Sequence, residues 1–132
     1  MQTYLLVALG GALGSVARFW LGGMIGARMG ETFPWGTVIV NITGSFLIGL
    51  FFAMTEPGSR WLAPPGARAF LMTGICGGYT TFSSFSLQTL NLLRDGQWLY
   101  AGGNVIFSMV LCLFAVWLGF LLGTVFNSMK GS

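Results

Sequence analysis

GICGGYTTFSSF, residues 74–85, combines features that a continuous membrane helix does not need. It lies within an apolar run long enough to cross a membrane. Yet it places Gly74, Gly77 and Gly78 close together and follows them with hydroxyl side chains and phenylalanines. Lipid offers no water to backbone N–H and C=O groups, so irregular backbone at membrane depth survives only where protein or a hydrated cavity covers it. The stretch therefore predicts a membrane helix broken near its middle, with a covered site at the break.

The rest of the chain supplies the membrane context. Of 132 residues, 55% are hydrophobic and 7% charged, a balance that no water-exposed surface carries. A spanning helix needs about 20 mostly apolar residues, and four such stretches fit, over 2–25, 35–54, 69–92 and 98–126. The first has no Lys or Arg ahead of it and is too long for a secretory leader, so it reads as a retained span. The expectation is one all-α transmembrane domain over residues 1–132, with a glycine-rich break in its third helix. ARMGETFP, TEPGSRWLAPPGAR and RDGQ are the short connectors. Cys76 and Cys112 fall inside spans, where a thiol behaves as a small apolar group.

Charge is nearly balanced across the two sides. Arg60, Arg68 and Lys130 share one side; Arg28 and Arg94 share the other, with Arg18 near that end of the first span. Orientation follows the Lys/Arg difference between short loops, so either orientation is open to the chain. Oppositely inserted copies would pair as an antiparallel, dual-topology homodimer with a two-fold axis in the membrane plane; a few unbalanced charges would instead fix one orientation. Gly10/Gly14, Gly22/Gly26, Ser45/Gly49, Gly74/Gly78 and Gly119/Gly123 are small residues four apart, the spacing that lets helix backbones approach in lipid.

Catalysis is poorly supplied. The chain has no His, and Glu31, Glu56 and Asp95 lie in connectors or at span edges, which leaves general acid–base chemistry and carboxylate metal sites without their residues. The protein does not read as an enzyme, and nothing points to a nucleic-acid partner. Proton-coupled transport also lacks its intramembrane carboxylate. Neutral polar residues instead form stripes: Thr37, Asn41 and Ser45; Thr81, Ser84 and Gln88; Asn104, Ser108 and Cys112. Each stripe occupies one helical face. Such faces glue helices together or line a hydrated path, and three of them favour the path. Hydroxyl and amide donors without a carboxylate suit an anion. Phe82 and Phe85, three apart, add aromatic ring edges, which carry the positive part of the ring quadrupole. Arg18 either snorkels to the surface or draws anions into a vestibule; sequence by itself does not separate these uses. Unwound carbonyls in GICGGYTT are suited to an alkali cation, shared between two copies if they meet there.

GGALGSVARF, WGTVIVNITGSFLIG and GICGGYTTFSSFSLQ together resemble the Fluc (CrcB) family of fluoride channels along nearly the whole chain. The resemblance implies a dual-topology homodimer in a bacterial inner membrane, with two pores for passive, selective fluoride efflux that gives fluoride resistance. By motif position it makes Asn41 the pore amide, Phe82 and Phe85 the aromatic pair, and Thr81, Ser83 and Ser84 the hydroxyl segment beside them. It further implies a structural sodium ion held by the backbone carbonyls of Gly77 and Thr80, a vestibule arginine at Arg18, and polar contacts from Asn104 and Ser108. The competing reading is a small dual-topology exporter of organic cations, which would need a membrane carboxylate that this chain lacks. A scaffold built on glycine packing would carry no ion at all.

Two positions depart from the family pattern: Gln88 stands where relatives often have glutamate, and Ser84 where threonine is commoner. A glutamine keeps donors and loses any titration. Fluoride flux is therefore expected to show little pH dependence from Gln88. A steep, carboxylate-like pH profile that disappears on altering Gln88 contradicts this assignment.

Overall fold

The computed structural model describes residues 1–58 and 64–130, except the side chain of Lys130. Arg60, one of the loop cations counted above, lies outside the described residues. Regular structure among the described residues is entirely helical. The chain runs as α1 (Gln2–Met29), α2 (Trp35–Met54), α3 (Pro65–Arg68), a π-helical segment (Ala69–Cys76), α4 (Gly77–Tyr79), α5 (Phe82–Arg94) and α6 (Trp98–Lys130). Helices α1, α2 and α6 are each long and apolar enough to cross a membrane. A fourth crossing is composite, made by α3, the π segment and α4 on one side of a break and α5 on the other. Against the expected spans, α1 runs past residue 25 and α6 past residue 126.

Backbone contact, made possible by missing side chains, sets the packing. A Cβ on Gly10 would stand 2.5 Å from the Phe70 carbonyl oxygen, and one on Gly14 would overlap the Ile75 carbonyl. From the other side, a Cβ on Gly78 would lie 2.6 Å from the Gly11 carbonyl oxygen. Helix α1 thus lies directly on the π segment and α4. The most extensive seam joins α2 to α6, where a Cβ on Gly49 would strike the Val116 carbonyl and one on Gly119 the Phe46 carbonyl. Apolar side chains gain little by leaving lipid for protein, so close van der Waals contact between such surfaces carries much of the association. Gly22 and Gly26 behave differently from their spacing: Gly36 of α2 approaches Gly22, while nothing stands within 4 Å of a Cβ on Gly26.

The break also sits later than the glycines suggest. Gly77 is helical at φ −64 and ψ −37, and Gly74 and Gly78 lie within the π segment and α4. Extended backbone begins at Thr80, with φ −80 and ψ 156, and continues at Thr81, with φ −149 and ψ 115. Gly74 and Gly78 are needed for approach to α1, and none of the three glycines adopts left-handed backbone. Of the two threonines, Thr81 is held by a side chain of α2, while Thr80 closes α4 with its N–H on the Cys76 carbonyl.

These contacts predict a sharp contrast between two glycines. Gly14→Ala should destabilise the protein by at least about 1 kcal/mol, the range of overpacking in a close-packed interior. Gly26→Ala should be neutral or slightly stabilising. Thermal denaturation in detergent checks both, and equal midpoints for the two variants contradict the packing account.

Candidate ion pathway

The site grows from the backbone of Thr81. Its N–H donates to Asn41 Oδ1 at 2.8 Å, and its carbonyl accepts from Asn41 Nδ2 at 3.1 Å. One carboxamide, projecting from α2, therefore satisfies both polar groups of a residue that has left the helical ladder. The Thr81 hydroxyl then caps α5 by accepting from the Ser84 N–H at 3.1 Å, which supplies one of the donors every helix start leaves unpaired. Gly44 of α2 makes room for the turn: a Cβ there would overlap the Thr80 methyl and stand 2.9 Å from the Tyr79 ring. The Tyr79 hydroxyl shares a 2.8 Å hydrogen bond with Thr43, so this ring packs back onto α2.

On the other side of the break, α4 ends with its last carbonyls out of helical register. In any helix the final four carbonyls lack intrahelical partners, and here they are those of Gly77, Gly78, Tyr79 and Thr80. The Gly78 carbonyl accepts from Arg18 Nε at 3.2 Å and from the Ser15 hydroxyl at 3.5 Å. Arg18 is half-buried and sits between Gly14, which touches the π segment and α4, and Gly22, which touches α2. Its charge meets the negative end of the helical dipole. The guanidinium therefore turns inward toward the break.

Two cavities flank this construction. The first, of about 510 Å³, is lined by Arg18 and the small residues of α1 and by Thr37 and Val40 of α2. Thr81, Ser84 and Gln88 form its α5 wall, and Glu31 and Asp95 stand where the connectors meet it. The second, of about 370 Å³, is lined by Asn41, Thr80, Phe82, Phe85 and Ser108, with Ser45, Cys76 and Cys112 also in its wall. Thr81 belongs to both linings. The stripe of α2 runs from Thr37 in the first cavity to Asn41 and Ser45 in the second. The Phe82 and Phe85 rings lie with centroids 5.5 Å apart and planes tilted by 51°, and Phe82 is 79% exposed in the single chain.

Not every candidate residue faces a cavity. Ser83 points elsewhere and shares a 3.3 Å contact with the Thr81 hydroxyl. Asn104 is 1% exposed and lies between α6 and α5, where its Nδ2 donates to the Thr89 hydroxyl at 2.9 Å. Gln88 lines the first cavity with its Oε1 buried and without a hydrogen-bond partner. Turning the carboxamide about its broad terminal torsion would present N–H groups there instead, and no existing bond to Oε1 opposes that turn. Sequence reading missed Ser15, Gly44 and Thr89. Ser15 lies three residues before Arg18 on the same helical face, which is a legible signal. Thr89 lies off the polar stripe of α5, and its role depends on how α5 is rotated against α6.

The chain is similar to known proteins along nearly its whole length. Residues 5–120 match the family described as CrcB-like protein, Camphor Resistance (CrcB). A protein of Opitutus terrae named fluoride-specific ion channel FluC is 61% identical over 132 residues, covering 100% of both chains. Proteins of the same name from Methylocella silvestris and Rhodospirillum rubrum are 53% identical over 129 residues and 57% identical over 118. The first covers 98% of each chain, the second 89% of this chain and 92% of its relative. A match over residues 5–120 takes in most of α1, all of α2, the broken helical stretch and most of α6, and the chain belongs to the CrcB family.

Proposed function

We propose that this chain is a fluoride-selective channel that lets fluoride leave the cell passively and so protects it from fluoride. The observation that carries the reading is a pair of cavities that share Thr81 in their walls, one with an inward-turned arginine and one bounded by two phenylalanines. The fluoride-channel names of relatives above half identity support it. The cation-exporter reading finds no support in the site, because Glu31 and Asp95 stand only where connectors meet the first cavity.

Fluoride enters beside Arg18, whose positive charge raises the local anion concentration. Thr37, Ser84 and the amide of Gln88 replace part of its water. At Thr81 the anion meets Asn41, which spends one amide proton on the Thr81 carbonyl and has a second to offer. Beyond it the edges of Phe82 and Phe85 receive the anion among apolar walls, with Ser108 beside them. Ser83 borders this track through the Thr81 hydroxyl, and Asn104 acts from behind it. Selectivity over chloride comes from close donors in a bore too narrow for the larger ion. The membrane potential drives efflux at about 2.3 kcal/mol per charge per 100 mV, without a coupling residue and without a covalent step.

Two antiparallel copies in the bacterial inner membrane complete the pathway in this reading. The exposed Phe82 ring, which lies in the wall of the second cavity, supports a partner at that face. A sodium ion at the copies' meeting point fits the residues present. Arg18 and Ser15 occupy the Gly78 carbonyl, while the Gly77 and Thr80 carbonyls belong to the same unpaired helix end. Bound there, the ion would neutralise converging carbonyl dipoles and fix the two copies together.

The direct test is fluoride efflux from liposomes, driven by a potassium gradient with valinomycin and repeated with chloride. Fast fluoride loss with chloride retained is the expected result; retention of both anions rejects the channel. In the same assay Phe82→Ile and Phe85→Ile should each lower fluoride flux at least about tenfold, equivalent to roughly 1.4 kcal/mol at the barrier. Assembly on size-exclusion chromatography should be preserved. Undiminished flux in both variants removes the aromatic role.

A further inference from the structure

A directed chain of hydrogen bonds leads out of the second cavity and into the backbone of α5. The Ser108 hydroxyl donates to Asn104 Oδ1 at 3.4 Å, Asn104 Nδ2 donates to Thr89 Oγ1 at 2.9 Å, and the Thr89 hydroxyl donates to the Phe85 carbonyl at 2.8 Å. Its first and last residues, Ser108 and Phe85, both line the cavity; Asn104 and Thr89, between them, do not. We propose that Asn104 and Thr89 are positioning residues for anion selection, which hold the Ser108 donor and the Phe85 ring at a set separation. The proposal rests on the channel reading of that cavity.

Three features support it. Helix α5 is lightly packed, with α6 and α2 as its main neighbours, so its rotation is not imposed by an extensive apolar seam. Its start is held by Asn41 at Thr81, and the Asn104–Thr89 bond gives it a second polar attachment two turns further on. Two attachments along one helix fix its rotation, and rotation decides whether Phe85 faces the cavity. The chain also has one hydrogen-bond polarity throughout. Removing the Thr89 hydroxyl leaves the buried Asn104 Nδ2 without this acceptor, and removing Asn104 leaves the buried Ser108 hydroxyl without its Oδ1 partner. The 3.4 Å Ser108–Asn104 bond is the weakest link by length. An anion in the cavity can therefore take the Ser108 proton as a hydrogen-bond donor without a large loss, while Asn104 returns that proton to a defined direction when the site empties.

The experiment is fluoride and chloride efflux from liposomes carrying wild type, Asn104→Leu, Thr89→Val, the double variant and Thr89→Ser. Because the two residues act through one chain, Asn104→Leu and Thr89→Val should each lower the fluoride rate about tenfold, and the double variant should fall no further. Thr89→Ser, which restores the hydroxyl, should stay within about twofold of wild type, on the same logic of an intact bond. Wild-type rates in either single variant, multiplied losses in the double variant, or a Thr89→Ser rate as low as that of Thr89→Val would each overturn the proposal. Should Asn104→Leu fail to fold, the Thr89→Val and Thr89→Ser pair decides alone. If wild type carries no fluoride, the channel reading fails instead. The positioning claim is then decided by the ¹⁹F resonance of 4-fluorophenylalanine placed at position 85. A shift in Thr89→Val that Thr89→Ser lacks supports it, and identical spectra reject it.

Discussion

The structure depends on the backbone of one residue, Thr81, which leaves helical geometry and whose N–H and C=O must find partners outside the helical ladder. Asn41 satisfies both with a single carboxamide. Once that is done, the Thr81 hydroxyl is free to start α5 as its cap, and the carbonyls closing α4 are free to face other partners. A hydrocarbon side chain at position 41 would leave two buried polar groups unpaired, at a cost of about 1–3 kcal/mol each. The break is therefore a property of α2 as much as of the chain that breaks.

Close backbone approach is the second constraint, and it puts the charged and polar groups where they act. Gly10, Gly14, Gly74 and Gly78 allow α1 to lie against the π segment and α4, and this proximity lets Arg18 and Ser15 of α1 reach the Gly78 carbonyl. A bulkier seam would hold Arg18 too far from the break to bond it. Gly49 and Gly119 do the same for α2 and α6, which brings Asn41 and Ser108 into the wall of one cavity. In the proposed pathway, small residues act indirectly, by setting the distances between the helices that carry its donors.

Neutral donors suit the ion in this arrangement. A carboxylate beside the path would repel an anion, and a deep unpaired charge would be costly in a low-dielectric setting. Hydroxyls, carboxamides and ring edges can each turn a positive end toward fluoride while costing little to bury when they are bonded to one another. Ser108, Asn104 and Thr89 are bonded in this way.

The sequence by itself determined the parts governed by local chemistry. Hydropathy marked the apolar stretches that became α1, α2 and α6, because each long apolar run is legible without its neighbours. The four-residue recurrence of Thr37, Asn41 and Ser45 marked a polar face, because helical periodicity alone puts those residues together. Only the tertiary structure decided where the third crossing unwinds. Glycine is compatible with both helix and break, and what selected Thr81 was a hydrogen-bonding side chain forty residues away on α2, with Thr80 left as the C-cap of α4. Tertiary packing also decided that Arg18 turns inward, since a long flexible cation takes whichever acceptor lies within reach. It separated Ser108, which faces a cavity, from Asn104, which is buried behind it, because the side of a polar stripe that meets a pore depends on the rotation of the helix packed against it.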